Sequence, residues 1–262
     1  HAAIGNRNYP DLYNISITNC SIDSIYDGIY LNKIDHVFLY INNNISSDTI
    51  GVYLNTVNNS LLFHNHLDKL DNSGIKAINC YGLVIDNNSF SNKINEAIEI
   101  QDSELGIITN SQFYNNSDSI LLNDSTEFVI INSNFTKNEN AISLFGSSIS
   151  FIENNSYSEN ILNISHAAYV EDHLFYGTVQ NAILHAGIDT FVHLYPGTYM
   201  ENVFIDKRVK LNGFGSLDEV IIDGQSNGPA IIIGLNNDVH QVKINGLTLN
   251  ASAKTLQTAS FR

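Results

Sequence analysis

Residues 85–92 read Ile-Asp-Asn-Asn-Ser-Phe-Ser-Asn, residues 108–115 Ile-Thr-Asn-Ser-Gln-Phe-Tyr-Asn, residues 130–137 Ile-Ile-Asn-Ser-Asn-Phe-Thr-Lys and residues 152–159 Ile-Glu-Asn-Asn-Ser-Tyr-Ser-Glu. Each stretch opens on isoleucine, has Asn two residues later and an aromatic residue five later. Worked outward, the aromatic position gives Ile22, Ile45, Leu67, Phe90, Phe113, Phe135 and Tyr157, at spacings of 23, 22, 23, 23, 22 and 22 residues. Five residues before these anchors stand Ile17, Tyr40, Leu62, Ile85, Ile108, Ile130 and Ile152. Three before them stand Asn19, Asn42, His64, Asn87, Asn110, Asn132 and Asn154. A second apolar run follows each of the first six anchors, opened by a small residue: Gly28-Ile29, Gly51-Val52, Gly74-Ile75, Ala97-Ile98, Ser119-Ile120 and Ala141-Ile142.

A period of this length is the signature of a solenoid. Within each period, apolar and polar residues alternate as in strands with one buried face. Abundant Ile, Asn and Ser argue against a helical solenoid, and the Leu-x-x-Leu-x-Leu pattern of leucine-rich repeats is absent. The reading is all-β: a right-handed parallel β-helix with coils of about 22–23 residues. The recurrent Asn fits a left-handed bend, and its amide is expected to bond to the like amide of the next coil, a ladder that His64 interrupts.

Three segments are expected: β-helix coils over 1–165, a junction over 166–177, and a capping helix with further coils over 178–262. Val179, Ala182, Ile183 and Ala186 fall at helical spacing, which places a short helix near 178–186. Val242 to Leu249 lead naturally into residues 12–22, with 250–262 and 1–11 as a side loop, as if the chain were one period of a head-to-tail array. Two β-helix segments of a longer protein are the alternative.

Asp and Glu number 27 against 12 Lys and Arg, a net charge of −15, which argues against nucleic acid and anionic lipid as partners. No run of 18 apolar residues occurs, so membrane insertion is not expected. Cys20 and Cys80 are the only cysteines; two coils apart, at roughly 10 Å, they are expected to be two buried thiols rather than a disulfide. Eleven Asn-x-Ser/Thr sequons occur, where composition predicts about five or six. Asn14, Asn44, Asn58, Asn115, Asn123, Asn134, Asn163 and Asn250 are the glycosylation candidates, and an extracellular or cell-surface location is expected. The rival explanation is that Asn- and Ser-rich turns create sequons incidentally.

The helix, the Pro196-Gly197-Thr198-Tyr199-Met200-Glu201 segment and the Val220-Ile221-Ile222-Asp223-Gly224 turn resemble the start of pectate-lyase-like β-helix proteins, the pectin methylesterases above all. Residues 12–165 resemble the repeats of carbohydrate-binding and sugar-hydrolase β-helices and of the copper-accessory protein of nitrous oxide reductase. The resemblance implies an architecture and no particular activity.

The catalytic sets of those families are missing. A pectate lyase uses a basic residue, usually Arg, beside calcium carboxylates; only Arg7, Arg208 and Arg262 are present. The paired-acid strings of a polygalacturonase and the Asp-Asp-Arg set of a pectin methylesterase do not occur, and Glu201 is expected to be structural. His64 and His66 share one strand face and form half a metal site, with a solvated or ladder-bonded pair the plainer reading. Asp23, Asp27, Asp48, Asp68, Asp71, Asp118 and Asp124 recur near turns and are candidates to hold calcium between coils, against solubilising turns. Phe90, Phe113, Phe135 and Tyr157 belong to the apolar register and are expected in the core. No catalytic residue and no cofactor is assigned, calcium apart.

The expectation is therefore a non-enzymatic extracellular structural protein, part of a surface filament, surface layer or adhesin similar to the β-helix-rich surface proteins of archaea and bacteria. Its partners would be copies of itself joined head to tail, with glycans as further ligands. The alternative is a carbohydrate-active or carbohydrate-binding β-helix, and a copper-accessory role is a third reading.

Overall fold

A computed structural model gives the structure of residues 2–6, 12–24, 26–40, 43–92, 95–146, 148–170, 174–225, 228–234, 239 and 241–251. Asn42, Arg7, Arg262 and most of the expected side loop fall outside these described residues. The chain divides into two compact units, His1–Ser165 and His166–Arg262. Among the described residues no helix is long and apolar enough to cross a membrane.

The first unit is a parallel β-helix whose coils present three strand stacks. In the first stack Ile29, Val52, Ile75, Ile98, Ile120 and Ile142 align in register. The second stack aligns Ile17, Leu39, Leu62, Ile85, Ile108, Ile130 and Ile152. In the third, all seven anchors from Ile22 to Tyr157 align. Tyr40, expected beside Ile17, instead pairs with Thr18 and Phe63. Ile17 and Leu39 are 22 residues apart and Ile22 and Ile45 are 23 apart, so the extra residue of that coil lies beyond Leu39.

The core is a set of like-on-like columns. Phe90, Phe113 and Phe135 stack with ring centroids 5.0 and 4.7 Å apart and planes within 3°, and all three are buried. Tyr157 continues the stack at 5.4 Å but is only half-buried. In three of the coils the glycine opening the first-stack strand has a steric cause. A Cβ on Gly28, Gly51 or Gly74 would lie 2.6, 2.7 or 2.3 Å from the carbonyl oxygen of the next coil's equivalent residue. In the strand Glu96–Gln101 both Ala97 and Ile98 are buried before alternation resumes, and Asp118–Asn123 shows the same pattern. This irregularity turns residues three apart, rather than two, onto the outer face.

Polar corners close the coils. Asn19, His64, Asn87, Asn110, Asn132 and Asn154 all have φ between 49° and 55°, so the recurrent Asn does occupy the left-handed bend. The ladder, however, belongs to the next residue along. Asn43, Asn65, Asn88, Ser111 and Ser133 are buried; Asn43, Asn88, Ser111 and Ser133 accept the backbone N–H of Cys20, Asn65, Asn88 and Ser111 one coil earlier, and Asn65 accepts from the side-chain amide of Asn43. His64 therefore interrupts nothing, because Asn65 carries the ladder. A second corner uses Ser103, Ser125 and Ser148 in the same way, accepting from the backbones of Cys80, Ser103 and Ser125. Both cysteines thus sit at ladder positions as free thiols, on different corners; Cys80 is buried and Cys20 only half-buried, which corrects the expectation of two buried thiols.

In the second unit Phe191–Leu194, Lys210–Gly213 and Lys243–Asn245 form one parallel stack, and Gly197–Tyr199, Val220–Asp223 and Thr248–Asn250 another. Ala168–Tyr169 pairs antiparallel with Leu174–Tyr176 and Phe191–Leu194. The helix is Val179–His185, with Val179, Ala182 and Ile183 buried. Thr178 is its N-cap, accepting from Asn181 N–H at 3.2 Å. The Glu201 carboxylate accepts from the backbone N–H groups of Val179 and Gln180 at 2.7 and 3.0 Å, and Lys207 donates to the carbonyls of Leu184 and Ala186 at the other end. Tyr199 directs its hydroxyl to the carbonyls of Tyr195 and Ala167. The Pro196–Glu201 segment is thus a bracket for this helix, and Glu201 is structural.

Candidate functional site

His64 and His66 are both exposed. With neighbouring Asn, Ser and Gln side chains they line a depression of about 350 Å³. His64 Nδ1 lies 3.3 Å from the side-chain amide of Asn87, and His66 stands outward between Asn44 and Ser89 in register. No carboxylate or thiolate joins them in that lining. Among the described residues no three His, Cys, Asp or Glu side chains gather where a metal ion could bind them. Four of the calcium candidates are engaged in coil-to-coil hydrogen bonds. Asp23 accepts from Ser46, Asp27 from Thr49 at 2.7 Å, Asp68 from Ser91 at 2.8 Å and Asp118 from Ser143 at 3.1 Å.

Of the sequon asparagines, Asn14, Asn44, Asn115, Asn134, Asn163 and Asn250 are exposed, while Asn58 and Asn123 are half-buried. The third sequon residue separates them further. Ser60, Ser125 and Ser165 are buried. Ser60 donates to the Asn58 carbonyl and accepts from Val37 N–H, both at 2.9 Å, and Ser125 donates to the Asn123 carbonyl. Ser60 and Ser125 serve the folded backbone, so their sequons follow from corner chemistry, while Ser165 shares a hydrogen bond with the Ser143 hydroxyl at 2.7 Å.

A more chemically varied cluster lies on the outer face of the first stack, where sequence reasoning placed no site. One outward column runs Tyr30, Tyr53, Lys76, Glu99, Leu121, Ser143. Beside it Glu96, Asp118 and Asn140 align in register. The Tyr30 and Tyr53 rings stack at 4.9 Å with planes 7° apart. Burial, and next the neighbouring Tyr30 hydroxyl, push the Tyr53 phenol above its usual range, so it stays a neutral hydrogen-bond donor at physiological pH. Lys76 pairs with Glu99 at 2.7 Å.

The carboxyls of Glu96 and Glu99 meet at one hydroxyl: Ser73 Oγ lies 3.4 Å from Glu96 Oε2 and 3.0 Å from Glu99 Oε2. Burial holds the Glu96 carboxyl above the usual carboxylate range, and Glu99 and Asp118 add repulsion. One face thus combines an acid that favours its proton, a second carboxyl in an ion pair, a cation and two stacked phenols. Paired carboxyls in unlike environments are the arrangement of general acid–base chemistry.

No curated protein sequence matches the chain. Among solved structures it is similar to a variant of the periplasmic alginate epimerase AlgG, at 15% identity and TM-score 0.43, covering 88% of this chain and 50% of that one. The Azotobacter vinelandii mannuronan C-5 epimerase AlgE4 A-module follows, at 10% identity and TM-score 0.36, covering 86% of this chain and 61% of that one. An alginate lyase from Paenibacillus sp. str. FPU-7 is similar at 11% identity and TM-score 0.35, covering 85% of this chain and 99% of that one. The chain therefore spans between half and two thirds of the first two. All three are enzymes, and the expectation of a non-enzymatic chain is withdrawn on that finding; at these identities and overlaps no residue role is carried across. The model of one family matches residues 5–157, more than half of the chain. The chain belongs to that family, described as the right handed beta helix region.

Proposed function

We propose that this is an extracellular carbohydrate-active β-helix protein that holds a polysaccharide along the outer face of its first strand stack. The observation that supports this reading is the junction of Glu96 and Glu99 at Ser73, next to the stacked Tyr30–Tyr53 pair. A glycosidic oxygen leaving a sugar needs a proton, and burial, by raising the pKa of the Glu96 carboxyl, extends the pH range over which it can supply one. In this reading Glu96 donates that proton. Glu99, fixed by Lys76, is the second carboxylate, acting on the sugar or on a water. Tyr30 and Tyr53 offer the amphipathic edges on which sugar rings settle. The exposed sequons at Asn14, Asn44, Asn115 and Asn134 support a secreted setting.

The experiment is a screen of neutral and acidic polysaccharides, reading new reducing ends for hydrolysis, ultraviolet absorbance for unsaturated lyase products and proton NMR for epimerisation. Hydrolysis lost in Glu96→Gln supports the assignment. Binding without turnover, weakened by Tyr53→Ala, moves the protein to the carbohydrate-binding class. Unsaturated or epimerised products that survive Glu96→Gln place the chemistry elsewhere.

A further inference from the structure

The outer face of the second stack carries an apolar column. Phe38, Leu61, Val84, Ile107 and Val129 are aligned in register over five successive coils. Ile107 is 41% exposed, and the other four are half-buried, walled by their column neighbours above and below. The inward residues of the same strands, Leu39, Leu62, Ile85, Ile108 and Ile130, are at most 1% exposed, so the outward column is additional to the core. Tyr40 and Phe63 stack beside it at 5.5 Å, and Tyr81 and Leu105 are 47% and 46% exposed alongside. An outer sheet face bathed only in water would be expected to alternate apolar-in with polar-out.

The charges on this face are predominantly acidic. Its strands and bends hold Asp35, Asp86, Glu104, Glu127 and Glu153 against one cation, Lys33, at the bend of the strand Ile29–Tyr40 that carries Phe38, and none of the ion pairs among the described residues involves those carboxylates. A second copy would bring the two acidic borders together at the cost of mutual repulsion, and an anionic lipid surface would be repelled as well. We propose that this column is a docking surface for a cationic amphipathic helix of a partner protein, its apolar face on the Phe38–Val129 column and its Lys or Arg residues toward the acidic borders. Five coils at the strand spacing span roughly 19 Å, the length of a helix of about 13 residues. Such helix-on-surface recognition needs apolar anchors at i, i+3, i+4 and i+7.

The proposal is independent of the polysaccharide reading and is tested by fluorescence anisotropy of the intact chain at physiological ionic strength. The probes are a 14-residue Leu/Lys amphipathic peptide, a Ser/Lys peptide of equal charge and a Leu/Glu peptide of equal amphipathicity. The Leu/Lys peptide should bind at least tenfold more tightly than the other two. Leu61→Ser with Ile107→Ser, which leaves the charge unchanged, should weaken it tenfold or more. Glu104→Gln with Glu127→Gln should weaken it comparably and supplies a second route should the serine variant lose its fold, as judged by circular dichroism. Equal binding of the Ser/Lys peptide, undiminished binding by both variants, or a dimer in light scattering that the serine variant dissociates would overturn it.

Discussion

The side-chain carbonyl oxygen of Asn88 accepts two hydrogen bonds from Asn65 in the preceding coil, from the backbone N–H at 2.9 Å and from the side-chain amide at 3.0 Å. Asn88 itself donates to the carbonyl of Leu62 at 2.7 Å. Both asparagines are buried, so water cannot replace a lost partner. Asn88→Ala should therefore cost about 1–3 kcal/mol for each group it orphans. Asn110, exposed with φ 49° and donating its side-chain amide to Asp86, should accept Gly within about 1 kcal/mol, because glycine tolerates that bend. Urea unfolding of the two variants checks the contrast; equal costs would mean that the buried ladder adds nothing.

The Phe90–Phe113–Phe135 stack predicts a graded cost. Phe113 is held by a ring on either side. Phe113→Ala should cost about 3–5 kcal/mol, from lost burial and the cavity left behind. Phe113→Leu should cost clearly less. Thermal melting monitored by circular dichroism measures both.

The strand register was legible because apolar anchors at a constant interval force like residues to stack, and any slip would turn a row outward. Where the interval alone failed, the cause is local. Tyr40 was placed in the core column because counting back from Ile45 assumes that the inserted residue precedes it, whereas the structure puts the insertion beyond Leu39. The Asn ladder was assigned one residue early. Sequence recurrence marks both the left-handed position and its neighbour, but burial belongs to the neighbour, as at Asn43, Asn65 and Asn88.

The candidate site was missed for a related reason. Strict alternation puts Glu96 and Glu99, three residues apart, on opposite faces of a strand. The consecutive buried pair Ala97-Ile98 returns both to the outer face. The signal was nonetheless present: Tyr30, Tyr53, Lys76 and Glu99 are each 23 residues apart, and extending the period to outward positions would have aligned them. The raised Glu96 pKa has no such trace, since it depends on burial and on Glu99 and Asp118 together.

Gly106 tests packing between coils. A Cβ built there would lie 2.1 Å from the Phe128 ring, and Phe128 is itself buried. Gly106→Ala should destabilise by about 1–3 kcal/mol through overpacking. Phe128→Leu, which shortens the intruding ring, should recover part of that loss in the double variant. Additive effects in the double-mutant cycle would show that the two side chains do not compete for the same space.

Glu96 ties stability to the proposed chemistry through pH. Burial first, and the nearby Glu99 and Asp118 carboxylates second, raise its pKa in the folded state. The folded state therefore binds the proton more tightly than the unfolded chain. The stability this contributes is complete below the ordinary carboxylate pKa and is lost as pH rises through the raised value. Glu96→Gln cannot ionise, so it should melt above the wild type at neutral pH, with the gap closing under acidic conditions where both side chains are neutral. Glu201, raised mainly by burial, titrates in both proteins and cancels from the comparison. Melting curves taken across acidic to neutral pH at fixed ionic strength measure the gap. A variant that melts lower at every pH would mean that the carboxyl is held by favourable contacts rather than strained by burial. A variant both more stable and inactive on the polysaccharide would show a destabilising acid retained for its proton, the relation expected of a catalytic group.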